Sequence, residues 1–146
     1  MLKINKKLEY ALIVLKFMET RKNPGEKTSV REICNHFSCS FNTVSKIMQA
    51  MTDGGILKSV RGVNGGYRQV RALSDINFKE LFILIEKKEN HSICHSNKGP
   101  CDLFSTCNII TPLNRLNDRL IGYLAKLSLR DILLEESISF EQGEAG

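Results

Sequence analysis

No run of about eighteen apolar residues occurs in the chain, which excludes a membrane-spanning helix. The opening MLKINKKLEYALIVLKF has a basic lead and an apolar run. Glu9 and Lys16 break that run and no small-residue cleavage site follows, so a signal peptide is not expected. Internal repeats and low-complexity tracts are also missing, which removes solenoids and arrays. There is no phosphate-cradling glycine loop, nucleophile elbow or paired acid–base motif, so the chain is not expected to be an enzyme. Nor is there an even set of cysteines. Five of them in a chain expected to be cytoplasmic argue against a disulfide scaffold and for metal or redox chemistry.

What is present fits one compact domain, or a small domain with a helical arm: 146 residues, 42% hydrophobic and 25% charged. The net charge of +5 is unevenly shared. Residues 1–73 hold 13 Lys/Arg against 5 Asp/Glu, whereas residues 74–146 hold 8 against 11. A basic half joined to an acidic half suggests a polyanion binder carrying a second module.

The apolar spacing of Leu8, Ala11, Leu12, Leu15 and Met18 predicts a helix stopped by Asn23-Pro24-Gly25. Ser29 and Glu32 have capping-box spacing and open a second helix with Val30, Ile33 and Phe37. After Ser38-Cys39-Ser40, Ser40 is the expected cap of a third helix with Val44, Ile47, Met48 and Met51 on one face, ended by Asp53-Gly54-Gly55. Two β-type runs, 56–60 and 67–70, flank the glycine-rich 61–66 and predict a hairpin. Asn77 and Glu80 repeat the capping-box spacing ahead of Phe78, Leu81, Phe82 and Ile85. From Pro112 a longer helix presents Leu113, Leu116, Leu120, Tyr123, Leu124 and Leu127, a near coiled-coil seam that needs a partner surface.

Three short helices followed by a hairpin outline a winged helix-turn-helix. The expected fold is therefore mainly α with a small β-hairpin wing and a long C-terminal dimerisation helix. Four parts are expected: a DNA-binding domain at 1–73, a connecting helix and cysteine-rich loop at 74–110, a dimerisation helix at 111–135 and a tail at 136–146. Ser40, Phe41, Asn42, Thr43, Ser45, Lys46 and Gln49 face outward on the third helix and supply hydroxyl, amide and ammonium groups for phosphates and base edges. On the wing, Lys58, Ser59, Arg61, Gly62 and Arg68 bring charge and a flexible backbone toward a groove, and Arg71 adds charge to the same module. A solvated polar face and ordinary hairpin chemistry would leave similar marks, but helix order, hairpin and charge agree on double-stranded DNA.

Cys94, Cys101 and Cys107 are spaced C-x6-C-x5-C in a segment without regular periodicity. Three thiolates on one loop can converge on a soft metal, yet they leave a four-ligand site one short. The spacing is wider than a zinc ribbon's. An iron–sulfur cluster with a non-cysteine ligand, a reversible disulfide and three ordinary thiols all remain open. Cys34 and Cys39 read as a packed thiol and a turn residue.

Ser59-Val60-Arg61-Gly62-Val63-Asn64-Gly65-Gly66-Tyr67 resembles the wing signature of the Rrf-two family of winged-helix transcription factors. Leu8-Glu9-Tyr10-Ala11-Leu12 resembles the family's first-helix motif, and Ser128-Leu129-Arg130-Asp131-Ile132-Leu133 its motif after the dimer helix. The resemblance, over roughly residues 1–135, implies a homodimer on a palindromic promoter site. It also implies an iron–sulfur cluster, [4Fe-4S] in preference to [2Fe-2S], on Cys94, Cys101 and Cys107. IscR-like members take a histidine three residues past the last cysteine as the fourth ligand, but Ile110 stands there. NsrR-like members take a first-helix carboxylate from the other subunit, and Glu9 occupies the matching place. The alternatives are a salt-bridged surface Glu9, with His95 or His36 as the ligand. The resulting expectation is a cluster-controlled regulator, with repression as the expected sign, responding to nitric oxide, redox state or iron and cluster supply. A zinc- or thiol-switch winged-helix regulator or adaptor without a cluster is the alternative.

Overall fold

The computed structural model describes residues 4–21, 23, 25–87, 95–96, 99–103 and 105–134, with only the backbone described at 95–96 and 99–100. Helix α1 (Lys6–Glu19) begins where the Asn5 side chain accepts the Leu8 N–H, 3.1 Å away. Its buried face is Leu8, Ala11, Val14, Leu15 and Met18. Helix α2 (Val30–Phe37) has the full capping box. Ser29 Oγ accepts the Glu32 N–H at 3.1 Å, and the Ser29 N–H donates to Glu32 Oε2 at 2.7 Å. Ser38, at φ +52°, turns the chain sharply into α3 (Phe41–Asp53). Ser40 sits at the N-cap of α3, but its side chain makes no capping hydrogen bond, contrary to the sequence expectation.

Strands β1 (Leu57–Val60) and β2 (Gly66–Gln69) form the antiparallel wing, with Leu57 opposite Gln69 and Lys58 opposite Arg68. The hairpin is anchored beyond its own two strands. Thr28 and Tyr67 exchange backbone hydrogen bonds at 2.9 Å in each direction, so the residues before α2 are tied to the wing by a single antiparallel bridge. That approach explains Gly66: a Cβ there would stand 2.8 Å from the Thr28 carbonyl oxygen. Gly62 at φ +121° makes the tip turn that a side chain would strain.

A single turn of 3-10 helix (Leu73–Asp75) leads to α4 (Phe78–Glu86). The second capping box is only half formed. Asn77 Oδ1 accepts the Glu80 N–H at 2.8 Å, but the Glu80 carboxylate is drawn away to Arg71. Two-residue strands β3 (His95–Ser96) and β4 (Gly99–Pro100) precede α5 (Ile110–Leu124) and α6 (Leu129–Leu134).

The helix expected from Pro112 to Leu127 is therefore shifted. It starts at Ile110, with Pro112 in the first turn, where a missing N–H breaks no bond. It stops at Leu124, and Leu127 lies in the connector instead of on the helix. The reason is a competing pairing. The Leu127 carbonyl accepts the Phe78 N–H at 3.0 Å, and the Leu129 N–H donates to Ile76 at 2.8 Å. Ser128 and Asp131 then start α6 with reciprocal hydrogen bonds of 3.1 and 3.2 Å.

One core joins these elements. Leu8, Leu15, Ile33, Val44, Met48, Met51, Leu73, Ile76, Leu81 and Leu129 are all fully or almost fully buried within it. Burying each large apolar side chain contributes about 1.5–3 kcal/mol, so Leu81 of α4 and Leu129 of α6 help hold these helices on the same core as the reading helices.

Candidate nucleic-acid interface and cysteine loop

The apolar face of α3 (Val44, Ile47, Met48, Met51) is buried, which turns the opposite face outward. Phe41, Asn42, Lys46 and Gln49 are exposed on it, and Thr43 and Ser45 are half-buried. Gln49 is partly committed to its own helix, donating to Asp53 Oδ1 at 3.0 Å. Lys46 has no acidic partner among the described residues.

On the wing, Lys58 and Arg68 face one another across the strands and are both exposed. Like charges placed directly opposite are destabilising by a few tenths of a kcal/mol or more, and among the described residues no carboxylate relieves this pair. Ser59, Arg61 and Gly62 are exposed beside them. The tip is held by Lys27, whose ammonium donates to the Asn64 carbonyl at 2.8 Å.

The other arginines of residues 1–73 fall into two groups. Arg21 bonds Thr28 Oγ1 at 2.9 Å and pairs with Glu26 and Glu32 at 3.5 and 3.2 Å. The Ser29 backbone N–H, with this guanidinium beside it, holds the Glu32 carboxyl below the usual carboxylate range despite partial burial. Arg71 donates to both Glu80 oxygens and to the Asp75 carbonyl, the last at 2.8 Å. The Glu80 hydrogen bonds hold Arg71 more firmly protonated. Arg71 is therefore a strut between the wing and α4, not a free cation of the interface. Arg31, which sequence reasoning did not single out, is exposed on α2 and unpaired among the described residues. Only its lack of a carboxylate at helical spacing could have flagged it. Val63 at the wing tip, fully exposed, was also missed because an apolar residue in a glycine-rich turn carries no charge signal.

Among the described residues no three His, Cys, Asp or Glu side chains converge as a metal site. Cys94 and the His95 side chain lie outside the described residues. Cys101 is exposed and Cys107 half-buried, both as free thiols on the segment entering α5. Glu9 lies in the first turn of α1, where Lys6 stands 3.1 Å from its carboxylate, with 47% of the Glu9 side chain exposed. So exposed an ion pair contributes about 0–1 kcal/mol, too little to hold the carboxylate against a stronger ligand. His36 packs against Phe17 in a tilted and Phe37 in an edge-on arrangement, with ring centroids 5.2 and 4.7 Å away, and belongs to an aromatic cluster.

Along α5, Leu116, Leu120 and Tyr123 are 45–50% exposed, whereas Leu113 and Leu124 are half-buried and Leu124 packs on the core. Cys34 and Cys39 lie 3.9 Å apart, sulfur to sulfur. Burial, followed by the contact with Cys39, pushes the Cys34 thiol up. No helix among the described residues is long and apolar enough to cross a membrane.

The family profile described as Rrf2, iron-dependent transcriptional regulator, matches residues 4–135. Among curated proteins, the transcriptional regulator NsrR of Bacillus subtilis is 30% identical over 136 residues, covering 90% of each chain. NsrR of Bacillus licheniformis is 29% identical over 136 residues, covering 92% of this chain and 94% of its own. Among solved structures, oxidised CymR of Staphylococcus aureus superposes with a TM-score of 0.69 at 20% identity. That match covers 93% of this chain and 99% of CymR, a likeness of fold. With the profile spanning nearly the whole chain and the reading helix and wing in place, this protein belongs to the Rrf2 family of winged-helix transcriptional regulators, which are not enzymes.

Proposed function

We propose that the chain acts as a homodimer on palindromic promoter DNA and that an iron–sulfur cluster controls this binding. Cys94, Cys101 and Cys107 hold the cluster from one subunit, and Glu9 of the partner subunit completes it. The cluster is [4Fe-4S] in preference to [2Fe-2S], and the regulator represses.

The observation that carries this reading is the connection of the cysteine segment to α5. Cys101 and Cys107 are free thiols on the stretch that runs directly into the helix exposing Leu116, Leu120 and Tyr123. A loop so placed lies beside any dimer seam those side chains build. The donor set also fits: soft thiolates on an irregular loop suit iron, and a carboxylate tied only by a surface ion pair is free to ligate. The similarity to proteins named NsrR supports the same assignment.

When bound, the cluster supplies redox-active, ligand-exchangeable iron, and an oxygen-ligated corner is its most labile point toward nitric oxide, oxidants or iron loss. The chain's own residues do the rest. Cys101 and Cys107 fix the entry to α5, and Glu9 ties the partner's α1 to that loop. In α1, Leu8, Ala11 and Leu15 pack on the core that carries Val44 and Met48 of α3. Ligation thereby biases the separation of two reading helices, and DNA affinity follows if the two separations differ in their contacts.

Anaerobically purified protein should show visible absorbance with iron and sulfide in equal amounts, and Glu9→Ala should lose the colour faster in air. Colourless protein with one zinc per chain would overturn the cluster. A Glu9→Ala protein as stable in colour as the parent would remove Glu9 from the site.

A further inference from the structure

We infer that Cys34 and Cys39 form an oxidisable dithiol whose closure to a disulfide constrains the turn between α2 and the reading helix α3. The pair stands apart from the cysteine loop. Cys34 lies in the second half of α2, and Cys39 follows Ser38, whose left-handed backbone at φ +52° folds the chain back under the helix. The Cys39 thiol is 3.9 Å from both Cys34 Sγ and the Ile33 carbonyl, a weak hydrogen-bonding arrangement that leaves the sulfurs almost in contact. A disulfide needs a separation of about 2.05 Å. Closure therefore requires the two sulfurs to approach by about 1.9 Å. Both residues are half-buried, so a small oxidant reaches them while bulk reagents are impeded.

Hydrogen peroxide is the oxidant class that fits. The Cys39 sulfur, as thiolate, attacks a peroxide oxygen, since burial keeps the Cys34 thiol protonated. The O–O bond breaks, hydroxide leaves and takes up a proton as water, and the cysteine becomes a sulfenic acid. The second thiol attacks that sulfur, the S–S bond forms, the S–O bond breaks, and the hydroxyl leaves with the thiol proton as a second water. Two thiols have then lost two electrons and two protons, and one peroxide has become two waters.

Closure acts on the reading helix because Cys39 immediately precedes its N-cap. Ser40 makes no side-chain capping bond, and its carbonyl accepts the Val44 N–H at 3.1 Å, so a shift of Cys39 is carried by the backbone into the first turn of α3. Asn42 and Thr43 lie in that turn. Closure also takes the Cys39 thiol from the Ile33 carbonyl. The expected consequence is weaker DNA binding, reversed by reduction.

The test uses the full chain with all five cysteines. Reduced protein is treated with equimolar hydrogen peroxide, quenched with iodoacetamide and digested with trypsin. Arg31 and Lys46 bracket both cysteines in a single peptide, because residues 32–45 contain no Lys or Arg. The expected peptide is unalkylated and lighter by two hydrogens than the reduced peptide, and dithiothreitol abolishes that form. A peptide alkylated at both sulfurs, oxidised at one sulfur only, or bridged to Cys101 or Cys107 would overturn the pairing.

Genomic fragments retained by the reduced chain provide the second measurement. Peroxide should weaken their binding about tenfold more in the parent chain than in Cys39→Ser, within the usual range of coupled equilibria, because the loss left in Cys39→Ser is oxidation of the cluster alone. An equal loss in the two proteins overturns the link to α3. This consequence rests on the DNA-binding reading, whose own failure would appear as no fragment retained by the reduced chain. The peptide mass decides the disulfide in either case.

Discussion

Replacing Arg68 by Ala separates a DNA-facing cation from a structural one. Arg68 faces Lys58 across the wing without an acid beside it among the described residues. Its removal relieves repulsion between directly opposed like charges, a gain of about 0.2–1 kcal/mol at most, offset by loss of the arginine's aliphatic cover on the strand. Stability should therefore stay level or rise slightly. DNA binding should weaken for a different reason. Each phosphate-neutralising cation contributes about 0.9 to the magnitude of the slope of log affinity against log salt. Lys46, Lys58, Arg61 and Arg68 would give about 3.6 per chain, and about 7 for a dimer. Arg68→Ala should thus reduce the dimer slope by about 1.8. Because this electrostatic contribution is independent of sequence, a mixed-sequence duplex titrated by fluorescence anisotropy at several salt concentrations suffices, alongside a urea melt. An unchanged slope would refute the placement of the wing. So would a loss of stability above about 1 kcal/mol, because it would make Arg68 a strut.

Arg71→Ala should behave in the opposite sense. It costs about 1 kcal/mol by freeing Glu80 and the Asp75 carbonyl, lowering the urea midpoint while leaving the salt slope unchanged. Ser29→Ala removes the α2 capping box and should cost about 1 kcal/mol in the same melt. Because the folded state lowers the Glu32 pKa, that carboxylate's stabilisation is complete above its unfolded value and is lost as the pH falls through the folded one. Glu32→Gln should flatten the acid limb of stability against pH, and an unaltered limb would remove Glu32 from that role. Leu120→Glu, at a residue 45% exposed in the single chain, should leave the helical circular dichroism signal intact while light scattering reports a monomer. A dimer persisting at micromolar concentration would move the seam off α5.

The sequence made the helices and wing legible because local signals decide them: apolar spacing for α1 and α3, a reciprocal box at Ser29 and Glu32, glycines at the hairpin. It failed where two partners compete for one group. Glu80 has capping-box spacing from Asn77, yet Arg71, nine residues earlier, takes its carboxylate. Leu127 continues the leucine seam, yet its carbonyl is claimed by Phe78 and the helix stops first. Arg71 and Arg68 are chemically identical in the sequence, and only the presence or absence of a tertiary carboxylate divides strut from reader. The candidate interface residues on α3 and the wing follow from periodicity and alternation. The proposed cysteine site does not, because a ligand set shared between subunits would leave no trace in the geometry of one chain.

The same long-range pairings offer a route by which the proposed change at the cysteine loop would reach DNA. From Cys107 the chain enters α5, and residues 127–129 then bind 76–78 through two backbone hydrogen bonds. Those residues begin α4. At the other end of the contact, Gly54 caps α3 so closely under α4 that a Cβ there would stand 2.5 Å from a Leu84 methyl. Close-packed contacts of this kind absorb little displacement, so a movement of α5 would be passed through α4 to the C-terminal end of α3. Continuity alone is not coupling, which also needs two arrangements of different affinity. The Cys34–Cys39 pair acts at the N-terminal end of the same helix. If both devices operate, each grips one end of α3 and their effects on DNA affinity are non-additive, because the helix moves as a rigid body between them. Measuring peroxide sensitivity with and without iron–sulfur cluster loading gives that coupling directly. Strict additivity would mean that the two ends report to DNA through separate parts of the reading head.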